Sequence, residues 1–412
     1  MGSGRRDVTE RGHQIFVDEL ARFAARTADS RVTAIAERAA APVHVAVRGR
    51  RGVGCRTVAR ALDRVGSTSG LAVTPRTDAA DLDVYLIAEV LKPEDREAIA
   101  AARHLIVVVL NKADLVGFAG DGPIAAARSR CAQFSELVGV PVQPMIGLLA
   151  VAALDDRPGE CLDEGLWAAL RMLAADPGGY ACLAGSVDGF LAANSPVPTA
   201  DRRRLLDTLD LFGTALAVAA LRKGGTARQV RALLRRVSGV DAVVDKVAAV
   251  GAEVRYRRVL QAVAELEAFA VCDDRLGERI CEFLSRDDTV VARMASAIDL
   301  AQASGLAAGL KLDGVDPLRT APPHSRSPLK LDGVDPLRTA PPHSRSPLKL
   351  DGVDPADDPA AHLSRAVRWQ RYSVGSLGPV SELHRSCGAD IVRGSLRLWS
   401  QAAAPGDGRE AR

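Results

Sequence analysis

The sequence predicts a doubly wound α/β domain followed by a mainly α-helical region. Short β-branched or apolar runs alternate with helical patterns between residues 43 and 160, and the strand signal fades beyond about 160. A glycine-rich turn, Gly49-Arg50-Arg51-Gly52-Val53-Gly54, also stands directly between the first such strand and the first such helix.

Residues 13–40 read as helix, with Ile15, Phe16, Leu20, Phe23 and Ala24 at three- and four-residue spacing. Ile35, Ala36 and Ala39 continue the pattern after Asp29-Ser30. The run 43–47 is a β-branched strand and 57–62 a helix. A buried strand is expected at 83–87 and a helix over 93–103, with Pro93 in its first turn and Glu94, Asp95 and Glu97 complementing its dipole. The unbroken apolar run 104–110 has the character of a central parallel strand. Residues 124–138 read as helix and 140–146 as the last strand. The expected organisation is an N-terminal helical segment (1–42), the α/β domain (43–160), an α-helical domain (161–306), a linker (307–360) and a C-terminal helical segment (361–412).

The linker contains a perfect internal repeat. Residues 310–328 read LKLDGVDPLRTAPPHSRSP, 329–347 repeat them without change, and 348–355 begin a third copy. Each full copy is rich in proline and poor in apolar residues, so it cannot bury a core and is expected to be disordered.

Composition excludes several function classes. A net charge of +3 over 412 residues argues against a dedicated nucleic-acid binder. Seven scattered cysteines with no C-x-x-C pair point to a reduced cytoplasmic setting, with neither a disulfide framework nor a zinc site. The charged N-terminal residues lead into no apolar stretch, so no signal peptide is expected. The longest apolar run, 211–221, is too short to span a membrane. The predominance of Arg over Lys fits the codon usage of a GC-rich bacterial genome.

Two motifs carry chemistry. In Gly49-Arg50-Arg51-Gly52-Val53-Gly54-Cys55-Arg56-Thr57, Gly49 and Gly54 keep the four-residue gap of G-x-x-x-x-G-K-[ST], in which backbone N–H groups wrap phosphates. Cys55 stands at the lysine position and Arg56 at the hydroxyl position. A register one residue later places Arg56 and Thr57 there but loses both glycines. The cradle of Gly49, Gly52 and Gly54 with the helix N-terminus could hold an anion, with Arg56 as substitute charge, or be a plain turn. The second motif, Asn111-Lys112-Ala113-Asp114, follows the 104–110 strand directly. With two Asn, seven Lys and 35 Asp in the chain, a chance N-K-x-D arises only about 0.003 times.

This second motif resembles the guanine-reading N-K-x-D of P-loop GTPases. With helices before the first strand and after the last, the chain is similar to bacterial dynamin-like GTPases. The resemblance implies that Asp114 accepts from the guanine ring N–H and exocyclic amine, Lys112 covers the base, and Asn111 ties its loop to the phosphate loop. It implies GTP or GDP as ligand, a second GTPase-like protein as partner, and contact with the inner face of the membrane. The stretch 211–221 and the Arg228, Arg231, Arg235 and C-terminal arginine clusters are candidates for that contact or for ordinary buried and solvated helix faces.

The family's Asp-x-x-Gly switch is missing. The nearest match, Asp63-Arg64-Val65-Gly66, falls at the end of the first helix of the domain, and neither Asp78 nor Asp81 has glycine at the needed spacing. The final guanine contact is reduced to Met145-Ile146-Gly147, expected to offer backbone N–H groups alone. With little to hold magnesium or stabilise transferring charge, the expected protein is a degenerate, pseudo-GTPase binding or regulatory module. The alternatives are a slow GTPase using Arg56 and Thr57, and a nucleotide-free interaction scaffold.

Overall fold

A computed structural model describes residues 11–66, 70–117, 123–154, 161–179, 181–183, 185–305, 358–375 and 380–403. The repeat, with its expected disorder, lies outside the described residues. The chain forms two compact units, one spanning Leu20–Phe269 and the other joining Arg11–Glu19 to Ala270–Arg412.

In the first unit the chain runs α1 (Arg11–Thr27, whose first turns belong to the second unit), α2 (Ser30–Ala40), β1 (Val43–Gly49), α3 (Cys55–Gly66), β2 (Leu71–Thr74) and β3 (Leu82–Ala88). It continues through α4 (Pro93–Ala100), β4 (Leu105–Asn111), α5 (Pro123–Val138), β5 (Val142–Pro144) and α6 (Gly147–Leu154). Five further helices follow: α7 (Glu164–Ala175), α8 (Val187–Ala192), α9 (Thr199–Arg222), α10 (Ala227–Ser238) and α11 (Val240–Cys272). Helices α1 and α2 are separate because Ala28 turns to φ +52 and Asp29 caps α2, accepting from the N–H groups of Arg31 and Val32.

The five strands are all parallel, in the order β2-β1-β3-β4-β5. Both faces of the sheet are covered. Val45, Val84, Leu86, Val107 and Val109 pack against Val58 and Leu62 of α3, Val151 of α6 and Val243 and Val247 of α11. Tyr85, Ile87, Val108 and Leu110 pack against Ile99 of α4 and Cys131 and Phe134 of α5. This double burial explains why β4 is apolar without alternation. A second apolar cluster joins α6 through α10 to the same unit.

Three local differences from the expected elements have physical causes. Strand β2 has only four residues, one of them buried, and so leaves little pattern in the sequence. Strand β5 ends at Pro144 and not at 146, because Met145 and Ile146 turn away into α6. Its outer edge is closed, since Ser135 Oγ takes the Val142 N–H at 2.9 Å and Pro144 has no N–H to offer. The expected C-terminal helix is two, α14 (Pro359–Ser373) and α15 (Glu382–Ala403), with α14 ending before Gly375 at φ +76.

The second unit also contains α12 (Asp274–Ser285) and α13 (Asp287–Ala303). Helix α13 packs on α15, where a side chain at Gly394 would collide with Met294, and the Arg293 guanidinium meets the Asp390 carboxylate at 2.8 Å. No helix among the described residues is long and apolar enough to cross a membrane.

One buried charge in the sheet yields a stability prediction. Asp83 is fully buried in β3 and pairs with Arg48 at 2.5 Å, and among the described residues its Oδ1 has no hydrogen-bond partner. Removing the arginine leaves a buried, unpaired carboxylate. Arg48→Met is expected to lower the unfolding free energy in urea by about 3–5 kcal/mol, and Arg48→Met with Asp83→Leu to recover most of it. A loss well under 1 kcal/mol in the single variant would contradict this.

Candidate functional site

The site forms where β1, β4 and β5 end at one edge of the sheet. Parallel strands deliver three loops there, and the crevice beyond such strand ends is where sheets of this kind bind ligands. In the order β2-β1-β3-β4-β5 the chain leaves β1 in one direction and β3 in the other, so the glycine loop after β1 stands at the switch point.

The glycine loop is shaped by backbone that only glycine adopts freely. Gly52 has φ +90 and Gly54 φ +94, while a side chain at Gly49 would meet the Leu86 carbonyl oxygen at 2.6 Å. Between them Val53 turns its side chain into the core, and its N–H closes a turn to the Arg50 carbonyl at 3.3 Å. A side chain at Gly54 would lie 2.5 Å from Asn111 Nδ2, so glycine is what lets the two loops approach.

Asn111 is the joint. Its Nδ2 donates to the Val53 carbonyl at 2.8 Å and its Oδ1 accepts the Gly147 N–H at 2.9 Å, with both bonds buried. A carbonyl on one side and an N–H on the other leave a single orientation for the amide. Lys112 follows in left-handed conformation (φ 56, ψ 43), and Ala113–Leu115 form a 3-10 turn tied by the Ala113 N–H to the Met145 carbonyl at 3.1 Å.

These loops enclose a cavity of about 520 Å³. It is lined by Gly52, Gly54, Arg56, Thr57, Asn111, Lys112 and Asp114, together with Arg50, Arg51, Cys55, Leu115, Ile146–Leu148 and Asp210. Seven of the eight expected binding residues therefore share one cavity. Gly49 lies outside it, at the root of the loop. A larger groove of about 940 Å³ runs between α5, β5 and the α10–α11 junction. It has no glycine cradle, and its acid, Asp241, is already paired with Arg235 at 3.0 Å.

The cations near the cavity are unequal. Arg50 donates from Nε to both Asp95 oxygens, at 2.8 and 3.0 Å, and this bond raises its affinity for its proton. Asp95 is fully buried, also takes the Tyr85 hydroxyl and the Lys92 N–H, and so fixes Arg50 to the first turn of α4. Burial and this carboxylate push the Tyr85 hydroxyl up to about 12. Arg51 and Arg56 are exposed at the mouth. The Cys55 thiol is raised above its ordinary value by burial, so at neutral pH it is neither a cation in place of lysine nor a ready nucleophile.

One expectation for this site is overturned. The Met145-Ile146-Gly147 turn does not present N–H groups to a ligand. They bond to the Leu110 carbonyl (2.9 Å), the Ser238 carbonyl (2.8 Å) and Asn111 Oδ1, because the turn must anchor itself to β4 and α10. Asp78 and Asp81 are likewise engaged elsewhere, with Arg76 and Arg258.

The sequence reading missed Asp210. It sits inside α9 at φ 58, ψ −179, a region that non-glycine residues enter at a cost on the order of 1–3 kcal/mol. The break aims it at the cavity instead of along the helix. Its only trace in the sequence is an acid interrupting the apolar run Leu209-Asp210-Leu211-Phe212. Among the described residues no cluster of three or more His, Cys, Asp or Glu could hold a metal ion.

Two predictions follow from this geometry. Asn111→Ala orphans a buried carbonyl and a buried N–H, each costing about 1–3 kcal/mol, so denaturant unfolding should show a loss of about 2–5 kcal/mol. A change below 1 kcal/mol would mean the amide does not hold the loops. The second concerns Asp114, whose carboxyl is raised above its ordinary 3.8. Burial is the main cause and the Asp210 charge adds to it, while its own backbone N–H and Lys112 oppose. Its stabilising contribution is complete below pH 3.8 and is lost as pH rises through the folded value. Asp114→Asn should therefore melt above the parent at pH 7, the gap closing as pH falls toward 3.8. Equal melting at pH 7 would contradict the burial of this charge.

No protein-family model, curated protein or solved structure matches the chain.

Proposed function

We propose that the Leu20–Phe269 unit is a degenerate guanine-nucleotide-binding domain of P-loop GTPase type, resembling dynamin-like proteins and serving a regulatory or partner-binding role. The observation that carries this reading is the meeting of Asn111-Lys112-Ala113-Asp114 with the glycine loop in one cavity, joined by the Asn111 amide. Guanine presents a ring N–H and an exocyclic amine side by side, and one carboxylate can accept both. Adenine offers an acceptor in place of that ring N–H. Asp114 is the acid that the motif supplies for this contact, and Lys112 supplies a side chain to cover the base.

The phosphate side supports binding without efficient turnover. The loop has no lysine, the Cys55 thiol is neutral, and Arg50 is held by Asp95. The exposed Arg51 and Arg56, with the N-terminus of α3, leave an attraction for phosphate that solvent screens. The residues present make a poor magnesium site. Thr57 supplies a hydroxyl, but the glycine loop itself holds no acid. A second reading, slow hydrolysis, is favoured by the presence of both Arg56 and Thr57 in the lining. The proposed partner is a second GTPase-like protein that completes what this chain lacks. Contact with an inner membrane face belongs to the same proposal.

Titration of the purified chain with fluorescent GDP, GTP and ATP, with and without magnesium, tests the reading. Guanine nucleotides should bind, ATP should bind at least tenfold more weakly, and Asp114→Ala should cost about 10–100-fold, the worth of hydrogen bonds to a charged group. Phosphate release should stay at background. Turnover abolished by Asp114→Ala and by Arg56→Ala would establish the slow GTPase instead. Absence of binding at high micromolar nucleotide would leave only a scaffold.

A further inference from the structure

We infer that Asp210 is a second base-reading residue of this site, accepting the exocyclic amine proton of guanine that Asp114 leaves free, so that the pocket selects guanine over hypoxanthine. The inference rests on the guanine-nucleotide reading above and deepens it, because the motif alone supplies one carboxylate.

The geometry singles out this residue. Asp210 comes from a helix, far in sequence from the loops it joins, yet it lines the cavity they form. The chain adopts φ 58, ψ −179 there, inside a helix that otherwise continues from Thr199 to Arg222. Leu211 N–H to Asp210 Oδ1 at 2.6 Å and the Thr214 hydroxyl to the Asp210 carbonyl at 2.7 Å hold the break. The first bond engages one carboxylate oxygen and leaves Oδ2 with its acceptor capacity. A helix needs no aspartate at such a point, since glycine adopts this conformation without strain.

Asp210 and Asp114 line the same cavity, where the Asp210 charge disfavours the ionised Asp114 and Lys112 favours it. A ligand that relieves this repulsion brings several hydrogen-bond donors on one edge. Guanine brings three: the ring N–H and two amine protons. Asp114 accepts the ring N–H and one amine proton as a bidentate pair, and the second amine proton then needs its own acceptor, since a buried unsatisfied donor weakens binding. Asp210 Oδ2 supplies it. Hypoxanthine keeps the ring N–H but lacks the amine, so it would leave both Asp210 and one Asp114 oxygen without a donor.

The test compares GDP with inosine diphosphate on the parent chain and on Asp210→Gly, Asp210→Asn and Asp114→Ala, by calorimetric or fluorescence titration. The parent should prefer GDP by about tenfold or more. Asp210→Gly should lower that ratio at least about threefold by weakening GDP alone, leaving only the part that the Asp114–amine bond supplies, while melting at or above the parent because glycine suits φ 58. Asp210→Asn, with its oxygen still on Leu211, turns an amide donor toward the base amine and should lower the ratio at least as far. An unchanged ratio, or an equal loss for both nucleotides as a ribose contact would give, overturns the role of Asp210. If Asp114→Ala still weakens GDP binding by about 10–100-fold in that case, the guanine-nucleotide reading stands without it. Failure of the parent to bind either nucleotide overturns both.

Discussion

The two buried hydrogen bonds of the Asn111 side chain hold the site together. They tie the loop after β1, the end of β4 and the turn into α6, three segments that meet only because the sheet is parallel. Everything near them is shaped to permit the contact. Gly54 leaves room for the amide, Val53 plugs the loop into the core so that its carbonyl faces Asn111, and Ala113 locks to Met145. Each bond satisfies a group that would otherwise be buried without a partner, so the loops are mutually dependent. The cavity is the space this joint leaves.

Charge divides the site into two unequal halves. On the motif side, Asp114 and Asp210 bring two half-buried carboxylates into one cavity lining, and burial with the Asp210 charge makes ionised Asp114 a burden on the fold. Natural proteins retain such features where binding requires them. On the loop side Arg50 is engaged elsewhere: the Arg50–Asp95–Tyr85 network holds the loop to α4. The loop side is thereby held rigid, while the two acids remain in the cavity lining.

Much of this was legible in the sequence, and the remainder was hidden for identifiable reasons. Strands β1, β3 and β4 announce themselves because they are buried on both faces and rich in Val, Ile and Leu. Strand β2 does not, since four residues with a single buried one produce no pattern. The gathering of Gly52, Gly54, Arg56, Thr57, Asn111, Lys112 and Asp114 was readable from motif spacing, because strand order converts it directly into proximity. Asp210 was not, because its place in the cavity lining depends on one unusual backbone angle in a distant helix. The fate of the Ile146 N–H was equally invisible, being decided by Ser238 on α10, nearly a hundred residues away.

If recognition resides in the base half, affinity should hardly depend on phosphate number. Calorimetric titration with guanosine, GMP, GDP and GTP under one salt condition measures this directly. Dissociation constants within about tenfold of one another would locate binding at Asn111–Asp114, since exposed arginines contribute little against screening solvent. A rise of a thousandfold or more from guanosine to GTP would show instead a working phosphate cradle, and would contradict the division of the site into a recognising half and a degenerate one.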